Sequence, residues 1–262
     1  MRRLHTFCRY GIFFVGAALL GACSGTPTYN PTVFPASIDQ ARLDAHPMKT
    51  VVIAHVNLGS QSRNYLEKEA PRIDAQVTEY LRDNGFTVLP QREFEQHWNT
   101  AVRAFGNPVD PTSGKVNTKT FAQIMHRVRD ELAESSSIDG FIFTDLVEVQ
   151  ESFSGGMKHL ARWDGVTRAP TMQGPGDGVS ASFDWSMMAA MVSLKVTIYD
   201  AELKPVFHGR GGIDATDAID SRSTKGRYIR RRNILENESN IMEGIQLAFY
   251  PLIAMEDWPG NP

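Results

Sequence analysis

A run of arginines in the carboxyl-terminal third of the chain has the residue type and spacing to bind anions. Arg227, Arg230, Arg231 and Arg232 lie close together in a chain with 30 acidic and 27 basic residues. Guanidinium groups pair with phosphate and carboxylate oxygens through parallel hydrogen bonds. The run therefore predicts a contact patch for acidic lipid headgroups, lipopolysaccharide phosphate or an acidic partner. The alternative is a solvated surface balanced by the glutamates that follow the run.

A short acidic series precedes the arginines. Asp214, Asp217 and Asp220 are spaced by three residues, and carboxylate oxygens on a loop are ligands that calcium accepts. The dense alternation of oxygen ligands typical of a calcium loop is missing, so the spacing favours solvated acids in a turn. We predict no metal site.

The glycine-rich stretches do not complete any catalytic or nucleotide-binding motif. A phosphate loop at Lys115 would need a glycine where Val109 stands and a hydroxyl where Val116 stands. The glycines within 209–212 lack the third glycine, at the correct spacing, of the dinucleotide-binding fingerprint G-x-G-x-x-G. The seven histidines are scattered singly, without the helical spacing of a zinc protease. We predict no catalytic residue and no cofactor, and hence a protein that is not an enzyme.

Residues 180–187 alternate strictly between apolar and polar side chains. This alternation is typical of a strand with one apolar and one polar face, including a strand that lines a membrane pore with its polar face. A pore strand needs about 9–11 residues and a closed barrel. One such hairpin per chain could form a pore only in an oligomer, so an oligomeric secretion pore stays open as the alternative function.

The amino terminus resembles the signal of bacterial lipoproteins. Arg2, Arg3 and Arg9 precede an apolar run, 10–20, that is too short to span a bilayer. The run ends in Leu20-Gly21-Ala22-Cys23, which resembles a lipobox. The resemblance implies a signal peptide over 1–22, cleavage between Ala22 and Cys23, and a diacylglycerol and palmitate on Cys23. The alternative is an ordinary secretory signal whose cleavage site lies beside a cysteine.

The lipoprotein resemblance also implies a location. Ser24 stands where an aspartate would resemble the inner-membrane retention signal, so we expect a lipid anchor on the periplasmic face of the outer membrane. Loss of three arginines with the signal leaves 24 basic and 30 acidic residues, a net charge of −6. Such a charge argues against nucleic acid as a partner. Only Cys23 would survive processing, so we expect no disulfide in the domain.

The rest of the chain predicts one folded unit. Residues 23–48 are rich in proline and threonine and predict a tether, 49–255 a single α/β domain, and 256–262 a carboxyl-terminal tail. Short β-branched runs alternate with helical periodicity up to about residue 150. Strands over 158–168, 179–199 and 205–213, joined by glycine-rich turns, follow before a last helix from about Leu235. We predict βα units, then an antiparallel meander and a closing helix, forming a mixed β-sheet sandwiched by helices.

Five short segments resemble the periplasmic α/β domain of the curli-secretion pore lipoprotein and the amino-terminal domain of the Tol-system propeller protein. They are Val51–Ala54, Leu81–Phe86, Asp139–Ile142, Leu194–Asp200 and Val206–Phe207. The resemblance implies a non-enzymatic binding or assembly module of the cell envelope, with the bilayer and other envelope proteins as partners and an oligomer as an option. An enzyme of unrecognised type ranks third, after the secretion pore.

Overall fold

The structure is a computed structural model that describes residues 36–54, 64–110, 112–113, 115–176 and 178–255. The predicted signal peptide, its cleavage site at Ala22 and Cys23, and the predicted tail over 256–262 lie outside the described residues. Within these ranges, six strands form the central sheet and five short strands lie outside it. In chain order the strands are β1 (Ala36–Ile38), β2 (Thr50–Ala54), β3 (Thr87–Leu89), β4 (Gly140–Ser152), β5 (Ala161–Trp163), β6 (Val166–Arg168), β7 (Met172–Gln173), β8 (Met188–Asp200), β9 (Pro205–Ala215), β10 (Asp217–Asp220) and β11 (Tyr228–Arg230).

Helices separate the early strands and close the chain. They are α1 (Gln40–Ala45), α2 (Asn64–Glu67), α3 (Ala70–Asp83), α4 (Gln91–Phe105), α5 (Thr118–Ser135) and α6 (Glu238–Phe249). Asn117 caps α5 and Asn237 caps α6, each accepting a hydrogen bond from a backbone N–H in the first turn. Leu235 has a positive φ of 56°, which is incompatible with a helix, so α6 begins three residues later than the periodicity suggests.

The central sheet is mixed, in the order β1-β9-β8-β4-β2-β3. β2 pairs in parallel with both β3 and β4, as expected for strands joined by helices. β4, β8 and β9 then form a long antiparallel meander, in which Gly140 faces Asp200 and Ser152 faces Met188. The predicted succession of βα units, antiparallel meander and closing helix is confirmed.

Helices cover both faces of this sheet. On β2, Val51 and Ile53 pack in the cluster that includes α3 and α6, whereas Val52 and Ala54 pack in the cluster of α4 and α5. All four side chains are at most 2 % exposed. The uninterrupted β-branched run thus folds as a strand buried on both faces, and the predicted α/β sandwich is confirmed.

α6 lies unusually close to β9 because glycines face each other across the contact. A Cβ on Gly211 would overlap the carbonyl oxygen of Gly244, and one on Gly209 would overlap the carbonyl oxygen of Ala248. A Cβ on Gly244 would lie 2.6 Å from Cγ1 of Ile213. The closing helix therefore docks backbone against backbone on the sheet.

Three boundaries differ from the prediction. Residues 158–168 form a hairpin of two short strands, β5 and β6, rather than one strand. Residues 180–187 contain turns and no strand, and Phe183 is buried against Tyr228. The pore alternative therefore loses the strand on which it was based. The predicted tether is shorter at its end, since β1 pairs with β9 and α1 follows it.

Candidate functional site

The arginine run and the acidic series neutralise each other. β10 and β11 are antiparallel, with residue 217 opposite 230, so that acids spaced by three meet arginines from the facing strand and its flanks. The N···O distances of the three ion pairs are 2.8 Å for Asp214–Arg231, 3.4 Å for Asp217–Arg230 and 2.8 Å for Asp220–Arg227. We call this set the ion-pair ladder. Three of the four arginines that suggested a headgroup patch are thus paired with aspartates of the acidic series.

Asp220 is the most enclosed acid of the ion-pair ladder. Its side chain is 1 % exposed and accepts hydrogen bonds from Arg222 at 3.0 Å and from Arg227 at 2.8 Å. The hydrogen bond from Arg222, followed by that from Arg227, lowers the pKa of Asp220 to about 2. The carboxylate therefore stays ionised over the whole physiological range and fixes the turn between β10 and β11.

Replacing Asp220 with asparagine should destabilise the protein in a pH-dependent way. The pKa of Asp220 is about 2 when folded and about 3.9 in an unfolded chain. Ionised Asp220 hence stabilises the fold fully above about pH 4, and this contribution disappears as the pH falls through the folded pKa. Urea midpoints of the wild type and Asp220→Asn should differ by a constant amount from pH 8 to pH 5 and converge below pH 4. Asp83→Asn, at an exposed aspartate on α3, is the control. An equal Asp220 difference at pH 7 and pH 3 would contradict the assignment.

Arg230 also joins three elements around Tyr65. Its guanidinium carbon lies 4.3 Å from the centroid of the Tyr65 ring, and its Nη1 donates to the Tyr65 hydroxyl at 2.7 Å. The hydroxyl in turn donates to Glu148 on β4, which lies 3.3 Å from Nη2 of Arg230. Burial, followed by the hydrogen bond to Glu148, raises the pKa of Tyr65 to about 12. Tyr65 is thus a protonated structural donor at neutral pH and not a base.

Arg232, the last arginine of the run, lines a shallow surface groove of about 260 Å³. The groove also contains Lys68 and Arg72, and three glutamates balance these cations. Arg72 is already paired with Glu238 at 2.7 Å. The groove thus carries no net charge that would select an anionic headgroup. The contact patch over Arg227 and Arg230–Arg232 stays a prediction, but most of its charge is engaged within the domain.

A second polar cluster lies where the β5–β6 hairpin meets the sheet. The Ser193 hydroxyl donates to Oδ2 of Asp164 at 2.6 Å, and Arg210 lies 3.1 Å from the same oxygen. Asp164 is 8 % exposed and has a positive φ of 39°. Its backbone carbonyl accepts from the N–H of Gly212 on β9. The cluster holds the β5–β6 hairpin against β9. It was not predicted from the sequence. The dipeptide Asp164-Gly165, a strong hairpin signal, could have found it.

His208 on β9 contacts a hydroxyl group on the neighbouring strand. Its Nδ1 atom lies 3.3 Å from Oγ1 of Thr197 on β8. Burial, followed by the positive charges of Lys195 and Arg210, lowers the pKa of His208. The imidazole is therefore neutral at pH 7. Ser193 donates its proton to Asp164 rather than to a histidine, so Ser193 is not set up as an activated nucleophile.

Apolar side chains project at the end of the molecule where β4 and β8 extend past the other strands. Met157 is 99 % exposed and Met188 is 55 % exposed. In the same two segments of the chain, the rings of His159 and Trp185 stack with centroids 3.6 Å apart and planes 6° apart. We call residues 154–159 and 185–188 the distal tip. Its turn is closed by a bridge between Gly155 and Leu160.

Within the described ranges, no group of three or more histidine, cysteine, aspartate or glutamate side chains could hold a metal ion. No helix in the same ranges is long and apolar enough to cross a bilayer. No family model, curated protein sequence or solved structure matches the chain. Any function proposed for the protein therefore depends on its own residues and their geometry.

Proposed function

We propose that the protein is a lipoprotein anchored to the periplasmic face of the outer membrane, whose α/β domain is a non-catalytic binding or assembly module of the cell envelope. The observation that carries the proposal is the amino-terminal series: three arginines without an acid, an apolar run of signal length, and Leu20-Gly21-Ala22-Cys23 at its end. The small residues 21 and 22 suit a protease pocket, and the Cys23 thiol is the nucleophile that accepts the lipid.

The start of the folded domain agrees with a short tether. β1 begins at Ala36 and pairs with β9 from Ala36 opposite Gly209 to Ile38 opposite Phe207. Twelve residues, 24–35, therefore separate the acylated cysteine from the first strand. Three acyl chains exceed the two signals that stable membrane attachment takes. A domain held by such an anchor stays at the membrane without a spanning helix.

The support for binding comes from the surface of the domain. The charged clusters that could suggest chemistry are used in contacts within the domain: the ion-pair ladder fixes β10 to β11, and Asp164 fixes the β5–β6 hairpin. The distal tip, in contrast, exposes Met157 and Met188 to solvent. Both methionines belong to the end of the molecule beyond the other strands, where such exposed apolar side chains are available for contact with a partner or a bilayer.

Cys23→Ser tests the anchor, and Cys8→Ser is the matched control, since these are the two cysteines of the chain. The wild type and Cys8→Ser should incorporate labelled palmitate and enter the detergent phase on Triton X-114 partition. Cys23→Ser should lose the label, because serine offers no thiol to accept the lipid. A wild type without label, or a Cys23→Ser variant that keeps it, would contradict the proposal.

A further inference from the structure

We propose that the distal tip contacts the same lipid leaflet to which Cys23 is attached. In this orientation the distal tip faces the membrane and the opposite end of the domain points away from it. The inference rests on the proposed lipid anchor and adds an orientation and a second contact to it. The contact surface is small, and its exposed large apolar side chains are Met157 and Met188. The occupant is the headgroup and upper acyl region of a bilayer.

The direction of the first strand supports this orientation. β9 runs from Pro205, near the β8–β9 turn, towards Ala215, which lies opposite Met191 and hence close to the distal tip. β1 is antiparallel to β9. The chain therefore enters the domain at Ala36 from the distal-tip side. The covalent link from a lipid anchor at Cys23 therefore reaches the domain on the distal-tip side and not on the opposite side.

The predicted tether is long enough to span the distance from Ala36 to the level of the distal tip. Ala36 lies opposite Gly209, which is level with Val196, and β8 continues for eight residues from Val196 to Met188. At a rise of about 3.4 Å per residue, this distance is about 27 Å. The thirteen residues 23–35 reach at most about 45 Å when extended. The tether can therefore place Cys23 in the leaflet while the distal tip touches it.

The composition of the distal tip suits the membrane interface better than the open bilayer core. Trp185 is partly exposed, and tryptophan is enriched where headgroups meet acyl chains. Lys158 is exposed between Met157 and His159 and can keep its ammonium among the headgroups. Asp184 next to the tip accepts from Ser186, so the charge here is mixed. A leaflet contact of this kind is driven by the apolar side chains and needs no anionic lipid.

A fluorescent probe at the distal tip tests the contact. Met157→Cys would carry the only free thiol of the mature chain, because the Cys23 sulfur would carry the lipid and Cys8 would leave with the signal. The full-length lipidated protein, labelled with an environment-sensitive dye, is reconstituted into phosphatidylethanolamine–phosphatidylglycerol liposomes. Phe105→Cys, at an exposed position at the end of α4, is the control. The dye at 157 should emit at shorter wavelength and be quenched by spin-labelled lipids, and the dye at 105 should not.

Flotation with the liposomes reports the anchor separately from the dye signal. If the protein floats and the dye at 157 behaves like that at 105, the leaflet contact is wrong while the lipid anchor stands. If the dye at 157 shifts only after an envelope extract is added, the tip binds a protein and the leaflet contact is also wrong. If the protein does not float, the anchor fails and the leaflet contact fails with it.

Discussion

Replacing Gly211 with alanine should lower the free energy of unfolding by about 3 kcal/mol, the upper range for an overpacked interior. A methyl group at this position would overlap the carbonyl oxygen of Gly244 on α6 and lie 2.7 Å from the backbone nitrogen of Ala248. These obstacles are backbone atoms of a helix, so no side-chain rotation relieves them. α6 would have to move away from β9, which would loosen the buried contacts of Ile241 and Ile245.

Urea unfolding of the purified protein, followed by circular dichroism, measures this change. Gly178→Ala is the matched control, because a Cβ there meets no atom within 4 Å, and it should change stability by less than about 0.5 kcal/mol. If Gly211→Ala does not accumulate as a folded protein while Gly178→Ala does, the expected direction holds. Equal stability of the two variants would mean that α6 does not pack on β9 as described.

Phe94→Ala should lower the free energy of unfolding by about 4 kcal/mol. Phe94 is fully buried on the face of the sheet covered by α4 and α5. Its ring lies 6.4 Å from Phe141 and 6.3 Å from Phe143 in edge-on contacts, and 5.7 Å from Trp98 in a stacked one. Truncation removes these contacts and leaves a cavity between the helix and the strands, which cannot collapse without moving α4.

The matched control for Phe94→Ala is Phe105→Ala on the same helix. Phe105 is 43 % exposed at the end of α4, so the same loss of a phenyl ring should cost less than about 1 kcal/mol there. Comparison of the two midpoints in urea separates burial from the change in helix propensity, which both variants share. Similar losses in the two variants would contradict the placement of α4 against the sheet.

The main elements of the fold could be predicted because their patterns are local. The run TVVIA over Thr50–Ala54 is apolar without alternation, and it folds as a strand covered on both faces. The spacing of Ile124, Met125, Val128 and Leu132 is that of a buried helix face, and all four are buried in α5. Alternation of such elements along the chain leaves few arrangements other than a sheet between helix layers.

The region between β4 and β8 was harder to predict because turns decide its structure. Asp164, at a positive φ, reverses the chain in the middle of a segment whose side chains look like one strand. Residues 180–187 alternate in polarity, but Phe183 is buried by tertiary packing against Tyr228 and Trp185 and not by a sheet. Alternation by itself cannot distinguish a strand from a loop whose aromatic residues dock.

The ion-pair ladder could not be predicted because it depends on register. Asp214, Asp217 and Asp220 look like a loose acidic cluster in the sequence, and the arginines that follow look like a free cationic patch. Only the antiparallel pairing of β10 with β11 places each acid beside an arginine. The three aspartates and three of the four arginines therefore form one structural element.

The central claim is that the mature protein begins at an acylated Cys23, and mass spectrometry of its amino-terminal peptide tests it most directly. The proposal predicts a peptide that starts at Cys23 and carries a diacylglyceryl thioether and an amide-linked fatty acid. Mild alkaline hydrolysis should remove the two ester-linked acyl chains and leave the glyceryl thioether and the amide-linked fatty acid on the peptide. A mature protein whose amino-terminal peptide carries no lipid, or one that still begins at Met1, would contradict the lipid anchor and the orientation of the domain that rests on it.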